Sequence, residues 1–371
     1  MQLKEIDISN YKNIKQAHLT FSPKINCLIG LNGMGKTNLL DAIYYLSFLR
    51  GHFYLPDHMV ICHNESFCLL DAHYLRNKNE EHIVCSIRPG HQKVFKRNKK
   101  AYTRLSEHIG KLPIVMISPK DFDLVHGGSE ERRKYLDTLI SQEKPKYLEA
   151  LIAHKRLLEQ RNSILKSASP NVEILDILEE QIAQEAALIQ KDRTDWIERI
   201  ASHFSSFYNE ISGSKDNVSL SYLPSIEDYS VEGIRATLRD NRQKDFVLGY
   251  TSQGIHKDDI GMYIDGELIR KIGSQGQNKT FLIALKLAQY DILKEATGLK
   301  PLLLLDDLFD KLDAERVNKI IHMVAGDTFG QIFMTDTNRT YLDKILKEKK
   351  ETSYHLFSVE KGAFSLIASN A

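Results

Sequence analysis

The sequence predicts an α/β fold in which a helical segment interrupts a strand-rich domain. Short runs of alternating polar and apolar residues from Met1 to about Asp123 indicate strands. Between about Gly128 and Gly213 the apolar residues recur at helical spacing. Strand-like sequence then returns, followed by an amphipathic helix at Gln277 to Glu295 and a buried strand at Leu302 to Leu305. We therefore expect two halves of one α/β domain around a helical insertion.

The bulk composition is that of a globular protein with more than one core. The chain has 371 residues, which favours about two domains. It is 42% hydrophobic, and its 50 basic and 49 acidic residues leave a net charge of +1, which neither supports nor excludes a nucleic-acid partner. No secretion signal and no apolar run of ~20 residues are visible, so we expect a soluble, intracellular protein.

Four cysteines lie in apolar or mixed, strand-like sequence: Cys27, Cys62, Cys68 and Cys85. They lack the close paired spacing of zinc or redox motifs. We therefore expect buried free thiols in a reducing cytosol.

The helical insertion contains two stretches of helical periodicity. The first includes Leu148 to Leu165, and the second, Val172 to Phe207, would be ~54 Å long if it were unbroken. Two such helices packed antiparallel would form an arm, and the alternative is an ordinary helical subdomain.

A glycine-rich segment between a predicted strand and a predicted helix carries the strongest functional signal. It fits the pattern GxxxxGK[ST], with Ile25 to Ile29 before it and Asn38 to Tyr44 after it. Such a loop turns backbone N–H groups towards phosphate oxygens, and the helix N-terminus adds a favourable field. The predicted nucleotide-binding residues are Gly30, Leu31, Asn32, Gly33, Met34, Gly35, Lys36 and Thr37. Lys36 is expected to reach the β and γ phosphates of ATP, and the Thr37 hydroxyl to ligate Mg²⁺.

A buried strand that ends in two carboxylates supplies the acids that such a site needs. Leu302 to Leu305 is followed by Asp306 and Asp307. Asp306 is expected to hold the metal, and Asp307 to orient or deprotonate the attacking water. Alone, this run would indicate a core strand with two solvated acids, but its combination with the P-loop favours the catalytic interpretation.

A third motif lies just before the long amphipathic helix. Gly273 to Gln277 resembles the LSGGQ signature of ABC-type ATPases in Ser274, Gly276 and Gln277. In that superfamily the signature of one protomer covers the γ phosphate bound by the other, although serine and glycine also simply cap helices. Asp313, in the segment Asp310 to Asp313, then matches the D-loop that crosses the same interface.

Further segments resemble the RecF family from one end of the chain to the other. They occur in that family's order: Asn10 to Asn13, Asn26 to Asn38, Ser118 to Asp121, Ser129 to Asp137, Gly254 to Asp259 and Ala284 to Gln289. Three positions depart from the family pattern. Ile255 and Lys257 stand where proline and arginine are usual, and Gly273 replaces the leading hydrophobic residue of the signature.

Resemblance to RecF implies an α/β, ABC-type P-loop ATPase head with an antiparallel β subdomain and a helical arm domain, or lobe II. The implied boundaries are 1–127 for the first part of the head, 128–240 for the arm and 241–371 for the second part. Lys12, Asn13 and Asn38 join the residues implied to bind the nucleotide, and Lys36 and Asp307 those implied to act in catalysis. The implied cofactors are ATP and Mg²⁺.

The same resemblance implies a cytoplasmic, ATP-dependent DNA-binding protein of recombinational repair, replication-fork maintenance and the SOS response. ATP binding would close a homodimer clamp on duplex or gapped DNA, and slow hydrolysis would release it, which helps to load recombinase at gaps. RecR, with RecO, is the implied protein partner. Whether the chain is an enzyme stays open, since a weak, DNA-stimulated ATPase would serve as a switch.

Other P-loop proteins fit the sequence less well. The main alternative is an SMC- or Rad50-like protein, or another ABC-type ATPase not devoted to gap repair. SMC and Rad50 proteins insert hundreds of coiled-coil residues between the motifs, whereas this insertion is short. A metabolic kinase would lack the signature-like residues and Asp313.

Two segments of the sequence are rich in basic residues. Lys93 to Lys100 is expected to form two short strands joined by a tight turn, which could meet phosphates or simply be solvated. Arg132, Arg133 and Lys134 are expected to be solvated or paired within the chain.

Overall fold

The elements follow the order that the sequence predicts. The structure is a computed structural model of the protein. It describes residues 1–167, 169, 171–213, 216–308, 312–337, 339–348 and 352–370. The strands are β1 (Gln2–Tyr11), β2 (Ile14–Thr20), β3 (Ile25–Ile29), β4 (Cys68–Arg76), β5 (Asn79–Ile87), β6 (Val94–Arg97), β7 (Lys100–Ala101), β8 (Ile114–Ile117), β9 (Val218–Leu223), β10 (Asp259–Ile264), β11 (Glu267–Leu268), β12 (Leu302–Leu305), β13 (Ile332–Asp336), β14 (Tyr354–Glu360) and β15 (Ala363–Asn370). The helices are α1 (Lys36–Phe48), α2 (Asp123–His126), α3 (Ser129–Glu143), α4 (Pro145–Leu165), α5 (Val172–Ser212), α6 (Val231–Asp240), α7 (Arg242–Leu248), α8 (Ile269–Ile272), α9 (Gln275–Thr297), α10 (Ala314–Ala325) and α11 (Thr340–Glu348).

The chain divides into two compact units. Unit 1 contains residues 1–121, 210–213 and 279–371, and unit 2 contains 122–209 and 214–278, within the described ranges. Unit 2 therefore extends past the predicted arm boundary at 240, to Asn278. The reason is long-range packing, because the Arg132 guanidinium of α3 pairs with Asp259 of β10 at 2.6 Å.

A mostly parallel sheet forms the centre of unit 1. Its strand order is β15-β14-β3-β13-β12-β8, and the only antiparallel pair among its described strands is β14 with β15. Leu302–Leu305 is buried at every position, as expected for a strand covered on both faces. Since the strands β3, β12 and β13 are parallel, their carboxyl ends lie at one edge of the sheet.

A second, antiparallel sheet in unit 1 has the order β2-β1-β4-β5-β6-β7. One face is apolar and buried, as the alternating burial of Cys68–Arg76 shows, and the other carries polar side chains. A β-bulge between Leu3 and Glu5 explains why buried positions pass from Leu3 to Ile6 and Ile8. The four cysteines are buried free thiols, as predicted.

Unit 2 combines helices with a three-stranded antiparallel sheet of order β11-β10-β9. The two long predicted helices are confirmed as α4 and α5, and α5 runs unbroken for 41 residues, about 60 Å. Their ion pairs show that they are antiparallel. Lys144 pairs with Asp192 at 2.7 Å, and Arg161 with Glu179 at 3.0 Å. Among the described residues, no helix has the length and apolar character needed to cross a membrane.

A buried charge cluster ties the helices of unit 2 together. The Arg161 guanidinium is completely buried and donates to Glu179 of α5 and to Asp245 of α7, at 3.0 and 2.8 Å. It also donates to the Thr251 hydroxyl at 2.7 Å. Arg242 reaches the same Glu179 at 2.5 Å. A buried cation with so many acceptors specifies one arrangement of α4, α5 and α7.

Arg161→Met should lower the free energy of unfolding by about 3–5 kcal/mol, because Asp245 and Glu179 would remain buried with too few cations. Urea unfolding followed by circular dichroism would measure it. Lys155→Ala, on an exposed face of the same helix, is the control and should change stability by less than about 0.5 kcal/mol. Equal effects of the two substitutions would contradict the role assigned to the cluster.

Candidate functional site

The glycine-rich loop connects β3 with α1, as the sequence predicts. Gly35 has φ of 114°, and a Cβ built on it would lie 2.9 Å from the Asn13 Oδ1 atom. Only glycine satisfies both conditions without strain. Gly33 also has a positive φ, of 80°. The loop therefore ends at the first turn of a 13-residue helix, where N–H groups that lack helical partners favour an anion.

Lys36 lies at the amino end of α1 and is largely buried. Its Nζ atom donates to the backbone carbonyls of Gly30 and Leu31, at 2.5 and 3.0 Å. Burial lowers the pKa of the Lys36 ammonium, against the opposing attraction of nearby aspartates. The lysine is thus held within its own loop.

Asp306, at the end of β12, receives two hydroxyl hydrogen bonds. Thr37 Oγ1 donates to its carboxylate at 2.9 Å and Thr335 Oγ1 at 3.0 Å. Burial is the main cause that raises the pKa of Asp306, and the negative charge of Asp307 adds to it, whereas the two hydroxyl groups lower it. Neighbouring oxygen ligands of an octahedral Mg²⁺ lie roughly 2.9 Å apart, given Mg–O distances of about 2.0–2.1 Å. The oxygens of Thr37 and Asp306 therefore fit this ion.

Asp307 differs from Asp306 in its surroundings. It is exposed, and its backbone has a positive φ of 48°, which turns the chain at the end of the strand. Its N–H donates to Thr335 Oγ1 at 2.9 Å. One carboxylate is therefore buried and held by hydroxyls, and the next is free to face solvent or a ligand.

A cavity of about 260 Å³ joins these groups within unit 1. Its lining residues come from the glycine-rich loop, from the loop after β8 and from the ends of β12 and β13: Asn32, Gly33, Gly35, Lys36, Thr37, Asn38, Pro119, Asp306, Asp307, Thr335, Asp336 and Thr337. The structure thus brings the predicted phosphate-binding and acidic residues to one place.

Four lining residues were missed by the sequence analysis. Thr335 and Asp336 end β13 and Thr337 follows it, and the signal that could have identified them is a second short apolar run closed by polar residues. Pro119 lies in a segment that Asp121 fixes. The Asp121 carboxylate pairs with Lys286 at 2.6 Å and accepts the Ser118 N–H at 2.7 Å.

Lys12 and Asn13, near the amino terminus, contact residues of α1. Asn38 Nδ2 donates to Asn13 Oδ1 at 2.7 Å, so these two side chains hold each other beside Gly35. Lys12 pairs with the buried Asp41 of α1 at 2.6 Å. Contact of Lys12 and Asn13 with a nucleotide stays a prediction.

The signature-like residues lie in unit 2, at the start of α9. Ser274 Oγ accepts the Gln277 N–H at 3.2 Å, and Gln277 Oε1 accepts the Ser274 N–H at 3.0 Å, which is a capping box. Gly273 departs from the signature because a Cβ there would lie 2.7 Å from the Ile269 carbonyl oxygen. Ser274 is exposed, while Gly276 is partly covered. The cap explains the spacing locally, and the role across a dimer stays a prediction.

Asp313 also has a local role. Its Oδ1 accepts the Arg316 N–H at 2.9 Å, which caps α10, and its Oδ2 pairs with the Arg316 guanidinium at 2.9 Å. Asp310 and Lys311 of the predicted D-loop lie outside the described residues. The assignment of Asp313 to an interface therefore stays a prediction.

The basic segment Lys93 to Lys100 forms the predicted hairpin. β6 pairs with β7, and Asn98 and Lys99 at the turn have positive φ angles, as in a type I′ turn. Part of its charge is neutralised within the chain, since Arg97 pairs with Glu81 at 2.6 Å and Lys93 with Asp57 at 3.0 Å. Lys96, Lys99 and Lys100 are exposed.

The second basic segment is paired, as predicted. Besides the Arg132 pair with Asp259, Arg133 donates to the Asp258 carbonyl at 2.6 Å, and Lys134 pairs with Glu130 at 2.9 Å.

Comparisons with known proteins show the family to which the chain belongs. The family model described as the RecF/RecN/SMC N terminal domain matches residues 2–364. DNA replication and repair protein RecF of Parabacteroides distasonis is 49% identical over 362 residues, which cover 98% of both chains. RecF of Porphyromonas gingivalis W83 is 49% identical over 365 residues, 98% of this chain and 99% of its own.

Solved structures give the same result for the fold. Two described as recombination mediator protein RecF-ATPrS and RecF-ATP in the RecFOR pathway are each 30% identical, with TM-scores of 0.89 and 0.88. Each match covers 99% of this chain. The same matches cover 98% of the chain of the first solved structure and 99% of the chain of the second. A Smc head bound to the C-winged helix domain of ScpA has a TM-score of 0.58 at 14% identity, over 100% of this chain and 98% of its own. These matches confirm the predicted ABC-type head fold.

Asp306→Asn should stabilise the nucleotide-free and metal-free protein at neutral pH. The raised pKa of Asp306 means that folding disfavours its ionised form, so the parent gains stability as the pH falls through that pKa. The amide avoids this penalty and can still accept both hydroxyl hydrogen bonds. Thermal unfolding should therefore show a higher midpoint for the variant, and the difference should shrink as the pH is lowered.

The neighbouring substitution Asp307→Asn is the control, because an exposed carboxylate contributes little to stability. A midpoint for Asp306→Asn below that of the parent at neutral pH would show that the carboxylate stabilises the fold.

Proposed function

Because the chain belongs to the RecF family, we propose that it is an ATP-dependent DNA-binding protein of recombinational repair and replication-fork maintenance. ATP binding closes a homodimer clamp on duplex or gapped DNA, slow hydrolysis releases it, and the bound clamp helps to load recombinase at gaps. The observation that carries the proposal is the 2.9 Å contact of Thr37 with Asp306, beside a glycine-rich loop that ends at a helix N-terminus.

The phosphates of ATP are bound by the loop and by Lys36. The backbone N–H groups around Gly33 and Gly35, with the first turn of α1, supply hydrogen bonds and a positive field. Lys36 exchanges its two carbonyl acceptors, on Gly30 and Leu31, for phosphate oxygens. Thr37 and Asp306 would hold Mg²⁺, which neutralises charge on the phosphates.

Hydrolysis depends on Asp307. Its exposed carboxylate borders the cavity and orients the attacking water or accepts its proton. An aspartate reaches less far than the glutamate of many ABC-type enzymes, so turnover is slow. This suits a switch whose ATP-bound state must last long enough to act on DNA.

Dimer closure uses the start of α9. Ser274 is exposed at the amino end of a 23-residue helix, where a hydroxyl and the positive end of the helix dipole suit the γ phosphate of a nucleotide bound by a second copy. Gly276, Gln277 and Asp313 contribute to the same interface. The ATP site is therefore shared between protomers.

The partners follow from the family and from charge. Solved relatives are described as acting in the RecFOR pathway, and we propose RecR, with RecO, as partners of this chain. The exposed lysines Lys96, Lys99 and Lys100 of the hairpin are candidates for sequence-independent phosphate contacts. The activity is cytoplasmic, because its DNA substrate is there.

The direct experiment measures the molar mass of the protein by light scattering, with and without ATP and Mg²⁺. The measurement is then repeated with a gapped DNA duplex. A dimer should form only with ATP and Mg²⁺, and DNA should stabilise it. A monomer under all conditions would contradict the proposal.

Ser274→Arg should leave ATP affinity of the monomer nearly unchanged but prevent dimer closure, since the side chain occupies the place of the partner's γ phosphate. ATPase activity and DNA retention should fall together. Ser274→Ala is the matched control, because it removes the helix cap at a cost of about 1 kcal/mol but adds no bulk.

Mixing Ser274→Arg with Lys36→Met should restore part of the ATPase activity. One composite site then pairs the intact loop of the first chain with the intact signature of the second. Heterodimers that form but stay inactive would exclude a shared site.

Asp307→Asn should keep Mg²⁺-dependent ATP binding and slow hydrolysis by about 10²- to 10⁴-fold, since an amide cannot accept a proton. The ATP-bound dimer should live correspondingly longer, which single-turnover kinetics and dimer lifetimes would measure. Unchanged turnover would transfer the role of base to another residue.

A further inference from the structure

The polar face of the antiparallel sheet in unit 1 carries a cluster of histidines and carboxylates away from the nucleotide site. We propose that Asp71, His73 and His82, with Glu5 as a fourth ligand, form a binding site for a divalent transition-metal ion of the zinc type. Asp71, His73 and His82 each offer one ligand atom, and these atoms lie within 4.8 Å of one another.

The strand register creates the cluster. Asp71 and His73 are two residues apart on β4 and so share a face, and His82 lies directly opposite His73 on β5. On the other side of β4, Glu5 of β1 lies directly opposite His73. Three adjacent strands thus present ligands at one spot, on a backbone that hydrogen bonds already fix.

Rotations of the side chains would bring the ligand atoms of the cluster to the spacing of a metal site. His82 Nε2 donates a hydrogen bond to Asp71 Oδ1 at 2.6 Å, so metal binding at Nε2 requires the ring proton to move to Nδ1 or to be released to solvent. His73 Nε2 lies 4.0 Å from both Asp71 Oδ1 and Glu5 Oε1. Neighbouring ligands of a tetrahedral Zn²⁺ are roughly 3.3 Å apart, from bond lengths of about 2.0–2.1 Å. The observed distances fall on either side of this value.

The two imidazoles lie face to face, so a shared ion requires the rings to turn until the lone pairs in their planes converge. Their rings stack with centroids 4.3 Å apart and planes 9° from parallel. All three side chains are partly exposed, so an ion can enter from solvent without opening the core. Two imidazoles with carboxylates favour Zn²⁺, Co²⁺, Ni²⁺ or Cu²⁺ over Mg²⁺, which prefers oxygen ligands alone.

Charge on this face also favours a cation. Asp7 of β1 lies directly opposite Asp71, and carboxylates in opposed positions repel each other. The repulsion on one side is relieved by His18, which contacts Asp7 at 2.9 Å. An ion bound to Asp71 relieves it on the other side. The ion would also link β1, β4 and β5 and so stabilise the sheet.

The test uses the full chain, stripped of metal with a chelator and held in excess Mg²⁺, which would occupy the proposed oxygen site at Thr37 and Asp306. Titration with Zn²⁺ followed by calorimetry, and with Co²⁺ followed by visible absorption, should show one ion bound per chain. Zn²⁺ should raise the thermal midpoint as well. The buried thiols are poor competitors, since burial raises the pKa of Cys68 to about 12.

His82→Phe keeps an aromatic ring stacked on His73 but removes a ligand nitrogen. The substitution should weaken Zn²⁺ binding by more than roughly 10-fold, which is the cost of losing a residue that only orients a ligand. It should also abolish the rise in thermal midpoint that Zn²⁺ causes in the parent. His63→Ala, which removes an exposed histidine before β4 and outside the cluster, is the control and should bind as the parent does. The proposal is overturned if Zn²⁺ does not bind in excess Mg²⁺, or if His82→Phe and His73→Phe both bind it with unchanged affinity.

Discussion

The buried carboxylate of Asp306 is the group around which the candidate nucleotide site is built. It is held by one hydroxyl from the helix that follows β3 and by another from β13, so it depends on three separate parts of the chain. The parallel register supplies them, because Leu305 pairs with Met334, and Thr335 with Leu28. The Thr335 hydroxyl bonds to both acidic residues. It accepts a hydrogen bond from the Asp307 N–H and donates one to the Asp306 carboxylate. A slip of one residue between β12 and β13 would turn Thr335 to the opposite face.

Local motifs were predictable from the sequence because their physics is local. The glycine-rich loop needs positive φ at Gly33 and Gly35, and a strand before it and a helix after it, all of which are visible within twenty residues. The two long helices of unit 2 were predicted from their periodicity, and the basic hairpin from its turn residues. In each case the residues that determine the structure are neighbours in sequence.

What the sequence left undetermined depends on contacts between distant residues. Thr335 became part of the site because β13 lies beside β12, and the apolar run before it marks the end of a strand without showing which strand is its neighbour. Unit 2 reaches past the predicted arm boundary because Asp259 and Arg132, which are far apart in sequence, pair in the fold. The pairing of Arg97 in the basic segment with Glu81 is likewise a contact across the sheet that the local sequence does not show. Ser274 and Gln277 illustrate a different limit, because one short motif serves both as a helix cap and as a proposed contact to a second copy.

The β-bulge near the start of β1 has a consequence for how this strand tolerates changes in length. Before the bulge the odd position Leu3 is buried, and after it the even positions Ile6 and Ile8 are buried. Loss of Lys4 would restore regular alternation and still leave Leu3 on the apolar side. Loss of Asp7, between Ile6 and Ile8, would instead exchange the two faces of part of the strand, which would expose apolar side chains and turn polar ones such as Glu5 into the core. Natural insertions and deletions in β1 should therefore concentrate at the bulge.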